Sequence, residues 1–212
     1  MRIKVLSKKE ILAGEALGAD GVISIRGSSS GDEPELAAAL AQATRGERAR
    51  LLRLAFDDIA LATYRHLVGP TMTQISDAVE FGRSIVDGRN LFDGAVTDPL
   101  IVVHCEHGKS RSAAIALAVM ADHLGAGAEH EAVNALMRGD VNDRQYPNPL
   151  VISLADASLW RYGRLETALA ELSPRFFQWR AVWQEIALDP DGTWERAERA
   201  VARRKRRDSG TA

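Results

Sequence analysis

Cysteine is almost absent from this chain: among 212 residues there is one, Cys105. A lone thiol excludes an internal disulfide and, with it, the disulfide-built class of small secreted domains. Long apolar runs are missing too. None approaches the roughly 18–20 residues of a membrane-spanning helix, so no membrane span is expected. The opening Met1-Arg-Ile-Lys-Val-Leu-Ser7 has no long apolar core, so no signal peptide is read there and a cytoplasmic location is expected. Charge of neither sign dominates, with 27 Lys and Arg against 29 Asp and Glu, a net charge of −2. That balance argues against a general nucleic-acid binder. Internal repeats are also lacking. What is left is a composition 46% hydrophobic and 26% charged, ordinary for a globular protein and long enough for one domain with a proper core.

The informative stretch is Leu100-Ile-Val-Val-His-Cys-Glu-His-Gly-Lys-Ser-Arg-Ser112, followed by an alanine-rich apolar segment. Residues 100–103 read as a buried strand and residues 112–124 as a helix. A strand, a tight loop and a helix N-terminus form an anion-binding arrangement, because successive loop amides and the positive end of the helix dipole point at one place. The same field favours a thiolate, which places Cys105 as a nucleophile. Arg111 carries a planar fork of donors suited to two phosphate oxygens. Gly108 lets the loop curl without a side chain in the way. Ser112 can donate its hydroxyl to the sulfur and ease its later departure.

The run His104-Cys105-Glu106-His107-Gly108-Lys109-Ser110-Arg111-Ser112 resembles the phosphate-binding signature of the cysteine-dependent protein tyrosine phosphatases, His-Cys-x-x-Gly-x-x-Arg-Ser/Thr. Every fixed position is matched. Five residues separate Cys105 from Arg111, whereas rhodanese-type sulfur-transfer loops are usually shorter. The resemblance implies an α/β fold with a central, mostly parallel sheet flanked by helices. It further implies a substrate-binding loop of Glu106, His107, Gly108, Lys109, Ser110 and Arg111, with His104 in support. A zinc site at His104, Cys105 and His107 would need paired ligands from a second cluster, and no second cysteine exists to supply them. No metal and no cofactor are expected.

In that family a loop aspartate upstream of the cysteine is the general acid. Leu52, Leu54 and Phe56 alternate with Leu51, Arg53 and Ala55 as a half-buried strand does, and the strand runs into Asp57-Asp58. Asp58 continues the phase of the apolar residues and is preferred to Asp57. The gap from Asp58 to Cys105 is longer than is usual in the family, and residues 90–99 read as the insertion responsible.

In chain order, residues 3–6 read as an edge or first strand and residues 7–17 as a serine-capped helix stopped by Gly18. Residues 21–26 follow as a strand, 27–34 as a connector and 35–44 as a short helix. Residues 71–87 form an amphipathic helix and 128–138 another. Gln145-Tyr-Pro-Asn-Pro149 is held extended by its prolines, and Gln145 and Asn148 are candidates for orienting water in a second step. One helix is expected over 155–172. The catalytic domain is therefore read as residues 1–172, followed by an aromatic-rich helix over 173–188 and a basic, flexible tail over 189–212.

The expected activity is hydrolysis of phosphomonoesters through a phosphocysteine intermediate. The substrate is a phosphorylated protein or small phosphoester, on phosphotyrosine and also phosphoserine or phosphothreonine. The resemblance shows no tryptophan-proline-aspartate loop, which favours a compact, dual-specificity-like architecture. Two alternatives stay open. Lys109 resembles the loop lysines of lipid-phosphatase branches, although Glu106 opposes it with a negative charge, so an inositol-phosphate or phosphoinositide phosphatase is one. A non-catalytic phosphate-binding pseudophosphatase is the other.

Overall fold

The computed structural model describes residues 1–44, 50–92 and 98–209. At its centre four parallel strands, β1 (Arg2–Ser7), β2 (Gly21–Arg26), β3 (Arg50–Ala55) and β6 (Leu100–Cys105), lie in the order β1-β6-β2-β3. A separate two-stranded hairpin, β4 (Thr63–Tyr64) and β5 (Leu67–Val68), follows β3. Register sets the ends: Ser7 lies opposite Cys105, and Ser24 opposite His104 on the other side. The C-terminal edge of β6 is thus framed by β1 and β2, which is where ligands bind in open parallel sheets.

Both inner strands are buried on two faces, so they read as continuous apolar runs rather than alternating ones. Ile101, Val103 and Cys105 of β6 join the larger core, while Val102 points into the smaller one. The smaller core packs under α1 (Lys8–Leu12) and α2 (Pro34–Ala43). The larger one packs under α3 (Met72–Phe92), α4 (Arg111–Leu124), α5 (Glu129–Gly139), α6 (Pro149–Ser158) and α7 (Arg164–Leu172). Helix α4 lies at its heart: every residue from Arg111 to Val119 is buried. Its alanines let neighbouring helices approach, and Gly82 of α3 sits where an added Cβ would come within 2.5 Å of Val119. The α/β class and the mostly parallel sheet are as the sequence leads one to expect. Two further helices, α8 (Pro174–Leu188) and α9 (Pro190–Ser209), complete the chain.

Several sequence expectations are corrected. Helix α1 stops at Leu12 rather than at residue 17, because Gly14 takes a positive φ of 85° soon after. Its start is as expected, with Ser7 and Glu10 forming a reciprocal capping box. The single helix expected over 155–172 is two helices. Trp160 and Tyr162 adopt φ of 55° and 54° between them, and the Asp156 carboxylate accepts from the Leu165 and Glu166 amides at 3.2 and 2.8 Å to start α7. The hairpin β4–β5 carries no alternating apolar signal in the sequence. It and the length of α3 fill much of the gap between Asp58 and Cys105. Residues 93–97 of the expected insertion lie outside the described residues. Within the basic tail, residues 190–209 form α9. No helix among the described residues is long and apolar enough to cross a membrane.

Candidate active site

The loop from Cys105 to Arg111 joins β6 to α4 and curls back on the start of α1. Gly108 has φ of 65°, and a Cβ there would lie 2.7 Å from the Ser7 nitrogen and 2.8 Å from the Leu6 carbonyl carbon. Only glycine allows both the left-handed backbone and that approach. The Glu106 carbonyl accepts from the Lys8 amide at 3.2 Å, fastening the other limb of the loop.

Cys105 is buried, 2% exposed, and its Sγ lies 3.1 Å from the Ser112 Oγ. Arg111 leads α4 and turns back across the loop. Its Nη1 donates to the Phe56 carbonyl at 2.9 Å, at the end of β3. Its Nε is buried without a hydrogen-bond partner among the described residues. Arg111 and Cys105 line one cavity together with His104, Glu106, Lys8, Arg26 and Glu33. A buried guanidinium held by one arm, with a donor left over, is a group waiting for an anion.

The acidic residues around this cavity are themselves paired. Lys8 Nζ stands 2.9 Å from Glu106 and 3.2 Å from Glu33, and Arg26 Nη2 lies 3.1 Å from Glu33. The hydrogen bonds to Glu106 and Glu33 raise the Lys8 pKa above its ordinary value. The Glu106 carboxylate is therefore turned to Lys8. His107 is exposed and Lys109 half-buried, while Ser110 is buried at 2%.

Asp57 and Asp58 are separated cleanly. The Asp57 carboxylate accepts from the Ser28 amide at 3.2 Å, the Val68 amide at 2.8 Å and the Ser28 hydroxyl. Partial burial disfavours its ionised form, but the Ser28 and Val68 donors and the Arg111 charge outweigh it and hold the carboxyl below the usual range. Asp57 thus staples the β2–α2 connection to the hairpin. Asp58 instead reaches the phosphate loop. Its Oδ1 accepts from Ser110 Oγ at 2.6 Å and from Asn148 Nδ2 at 3.0 Å. Both donors address one oxygen, so the other is left for a proton or a substrate.

Asn148, which the sequence offers as a candidate for orienting water, donates its side-chain amide to Asp58 and to the Ile59 carbonyl, while its Oδ1 caps α6 at the Leu150 and Val151 amides. An Asn directly before a Pro at a helix start is the sequence signal for that cap. The same segment runs along the loop, with the Tyr146 amide donating to the Lys109 carbonyl at 3.0 Å and the Asn148 amide to the Ser110 carbonyl at 3.3 Å. Gln145 is buried, its backbone N–H donating to the Asp140 carboxylate at 2.6 Å. Burial lowers the His104 pKa to about 4, so the ring is neutral at pH 7 and gives the thiol no positive charge. No cluster of three or more potential metal ligands occurs among the described residues.

From Tyr146 a row of edge-to-face rings leads away from the site: Trp179 at 5.3 Å, then Trp183 at 5.8 Å, Tyr64 of β4 at 6.3 Å and Trp194 of α9 at 5.2 Å. Tyr64 also donates its hydroxyl to the Pro190 carbonyl at 3.2 Å, and Arg65 pairs with Asp191 at 3.2 Å.

No family model matches this chain, and no curated protein does. Among solved structures, phosphatases of the tyrosine and dual-specificity type are similar in fold. Human DUSP28 is 16% identical, with 80% of this chain and 94% of that one covered and a TM-score of 0.48. PTPMT1 in complex with PI(5)P is also 16% identical, over 80% of this chain and 94% of its own, at a TM-score of 0.44. The Yvh1 phosphatase domain from Chaetomium thermophilum is 16% identical, over 76% and 90%, at 0.43. These are likenesses of backbone at low identity. The functional reading rests on the site's own residues.

Proposed function

We propose that this protein is a cysteine-dependent phosphatase that hydrolyses phosphomonoesters, phosphotyrosine foremost, through a phosphocysteine intermediate. The observation that carries the reading is Arg111: one arm fixed to Phe56, the Nε buried and unpartnered, in the cavity that holds the only cysteine.

The chemistry balances without further groups. The Cys105 thiolate attacks phosphorus and forms an S–P bond while the P–O bond to the leaving group breaks. Arg111 and the loop amides bind the equatorial oxygens, whose charge they stabilise in the transition state. Asp58 passes its proton to the departing alkoxide or phenoxide. The same carboxylate then takes a proton from water, the hydroxyl attacks phosphorus, and inorganic phosphate leaves as the S–P bond breaks. Ser112, 3.1 Å from the sulfur, donates to the departing thiolate. Ser110 and Asn148 hold Asp58 in place, and Asp57 is structural.

Phosphate release from p-nitrophenyl phosphate and a phosphotyrosine peptide, in chelator, tests the reading beside Cys105→Ser. Turnover in the wild type that disappears in the variant supports it. No turnover from folded, reduced protein sinks it.

One observation favours a second reading. Glu106 faces Lys8 at 2.9 Å rather than standing against Lys109. Lys109 would then add a positive charge at the loop, as an inositol phosphate requires. Higher kcat/KM on inositol phosphates than on any phosphopeptide, reduced by Lys109→Ala, would favour it. A pure phosphate-binding protein would bind ligands and show no turnover for Asp58→Ala to remove.

A further inference from the structure

Helix α8 has a side that the core does not use. Arg175, Trp179 and Val182 recur at i, i+4 and i+7 and so share one face, whereas Phe176 and Trp183 are the residues the helix buries. With Gln178 and Tyr146 they line an open groove of about 380 Å³. Tyr146 connects this groove to the phosphate loop. Its backbone amide donates to the Lys109 carbonyl of that loop at 3.0 Å, and its ring meets Trp179 at 5.3 Å.

We propose that the groove is a substrate subsite that takes the aromatic or branched aliphatic side chain next to the phosphorylated residue of a polypeptide. The inference rests on the phosphatase reading and adds a substrate class to it.

Four features favour a peptide. The walls are two aromatic rings, a valine and the aliphatic stem of an arginine, surfaces on which a ring gains edge-to-face contact. The groove is tied to the phosphate loop through Tyr146, whose amide donates to the Lys109 carbonyl, so it suits a neighbour of the phosphorylated group rather than the group itself. Its rim is mixed in polarity: Arg175, paired with Asp143 at 2.9 Å, and Gln178 offer donors and an acceptor to a peptide backbone. A lipid acyl chain would leave them unmatched. A volume at the low end of ligand pockets, which run from about 300 to 1,000 Å³, holds one large side chain with its peptide unit and is short for two acyl chains.

The test uses two phosphotyrosine peptides that differ only in the residue following the phosphotyrosine, Phe in one and Gly in the other, with p-nitrophenyl phosphate as a small reference. Val182 is 43% exposed, so Val182→Glu places a charge in the groove without burying it in the core. The wild type should prefer the Phe peptide. Val182→Glu should raise its KM about tenfold more than that of the Gly peptide or the reference, the loss expected for one apolar contact of this size. Trp179→Ala should act in the same direction. Equal KM for the two peptides in the wild type, or an equal effect of Val182→Glu on both, would overturn the proposal. So would turnover of a short-chain phosphoinositide that exceeds both peptides and falls in Val182→Glu. The same comparison read as Kd, by fluorescence anisotropy on Cys105→Ser, judges the groove separately. Absent turnover in the wild type would then defeat the phosphatase reading, and equal Kd values would defeat the subsite.

Discussion

The adjacent carboxylates Asp57 and Asp58 should fail in opposite ways when altered. Asp57 accepts three hydrogen bonds, from the Ser28 amide, the Ser28 hydroxyl and the Val68 amide. Hydrogen bonds to charged groups are worth about 1.5–3 kcal/mol each when buried. Asp57 is only half-buried, which cuts this to about 0.5–1 kcal/mol each, or about 2 kcal/mol in all. With about 2–4 °C of Tm per kcal/mol for a chain of this size, Asp57→Ala should melt about 4–8 °C lower. Its kcat should fall less than about tenfold, since no step runs through it. Asp58→Asn keeps an oxygen to accept from Ser110 and Asn148 but cannot give a proton. Its Tm should stay within about 2 °C of the wild type, while kcat on a phosphopeptide falls about 10²–10³-fold. Thermal melts and steady-state kinetics on the two variants check both halves. The reasoning is refuted if Asp57→Ala abolishes turnover at unchanged Tm while Asp58→Asn keeps it.

Further outcomes follow from the same geometry. Because the Asp57 pKa is depressed in the fold, its contribution to stability is fully present above the unfolded carboxylate value near 3.9 and is lost as pH falls through the folded one. The Tm gap between wild type and Asp57→Ala should therefore hold from neutral pH to about pH 4 and close below it; a gap that closes already near pH 6 contradicts this. His104, with its pKa lowered to about 4 by burial, adds stability above pH 6.5 that is lost between there and pH 4, on the order of 3 kcal/mol. Melts of His104→Asn should fall less steeply across that window than those of the wild type. Gly108→Ala forces a Cβ within 2.8 Å of the β1 backbone and should cost about 100-fold or more in kcat/KM; near-wild-type turnover would deny the loop its role. Ser112→Ala should slow the second step more than the first, giving a burst of p-nitrophenol with kcat lowered about 10–100-fold. A linear time course with kcat/KM lowered equally would count against it.

Those parts of the fold that bury their residues on two sides were legible as sequence. Strands β2 and β6 and helix α4 are mostly apolar along their lengths, and no neighbour changes how they read. The loop was legible for a different reason, since Cys105, Gly108 and Arg111 each meet a separate physical demand at fixed spacing. What escaped depends on contacts distant in sequence. The break between α6 and α7 lies at Trp160 and Tyr162, residues that do not announce positive φ; it is held by Asp156 from within α6 and by the Arg161 guanidinium, which donates to the Ala121 carbonyl of α4 at 2.9 Å. Hairpin β4–β5 has two residues per strand, too few for a period of two to show. The preference for Asp58 over Asp57 rests on strand phase, whereas the partners that separate the two carboxylates, Ser28 and Val68 for one and Ser110 and Asn148 for the other, are contacts that no spacing contains.

The row of rings from Tyr146 to Trp194 also makes the protein its own spectroscopic probe. Indoles and phenols stacked edge to face at 5.2–6.3 Å exchange excitation, so their near-ultraviolet dichroism belongs to the row rather than to single chromophores. Tyr146 touches the phosphate loop at one end, and Trp194 belongs to α9 at the other. A ligand settling beside Tyr146 would change the signal of the whole series, and a loosened α9 would change it from the far side. Unlabelled protein could then be titrated with vanadate or a phosphopeptide, and occupancy of the site and attachment of the last helix read from one spectrum.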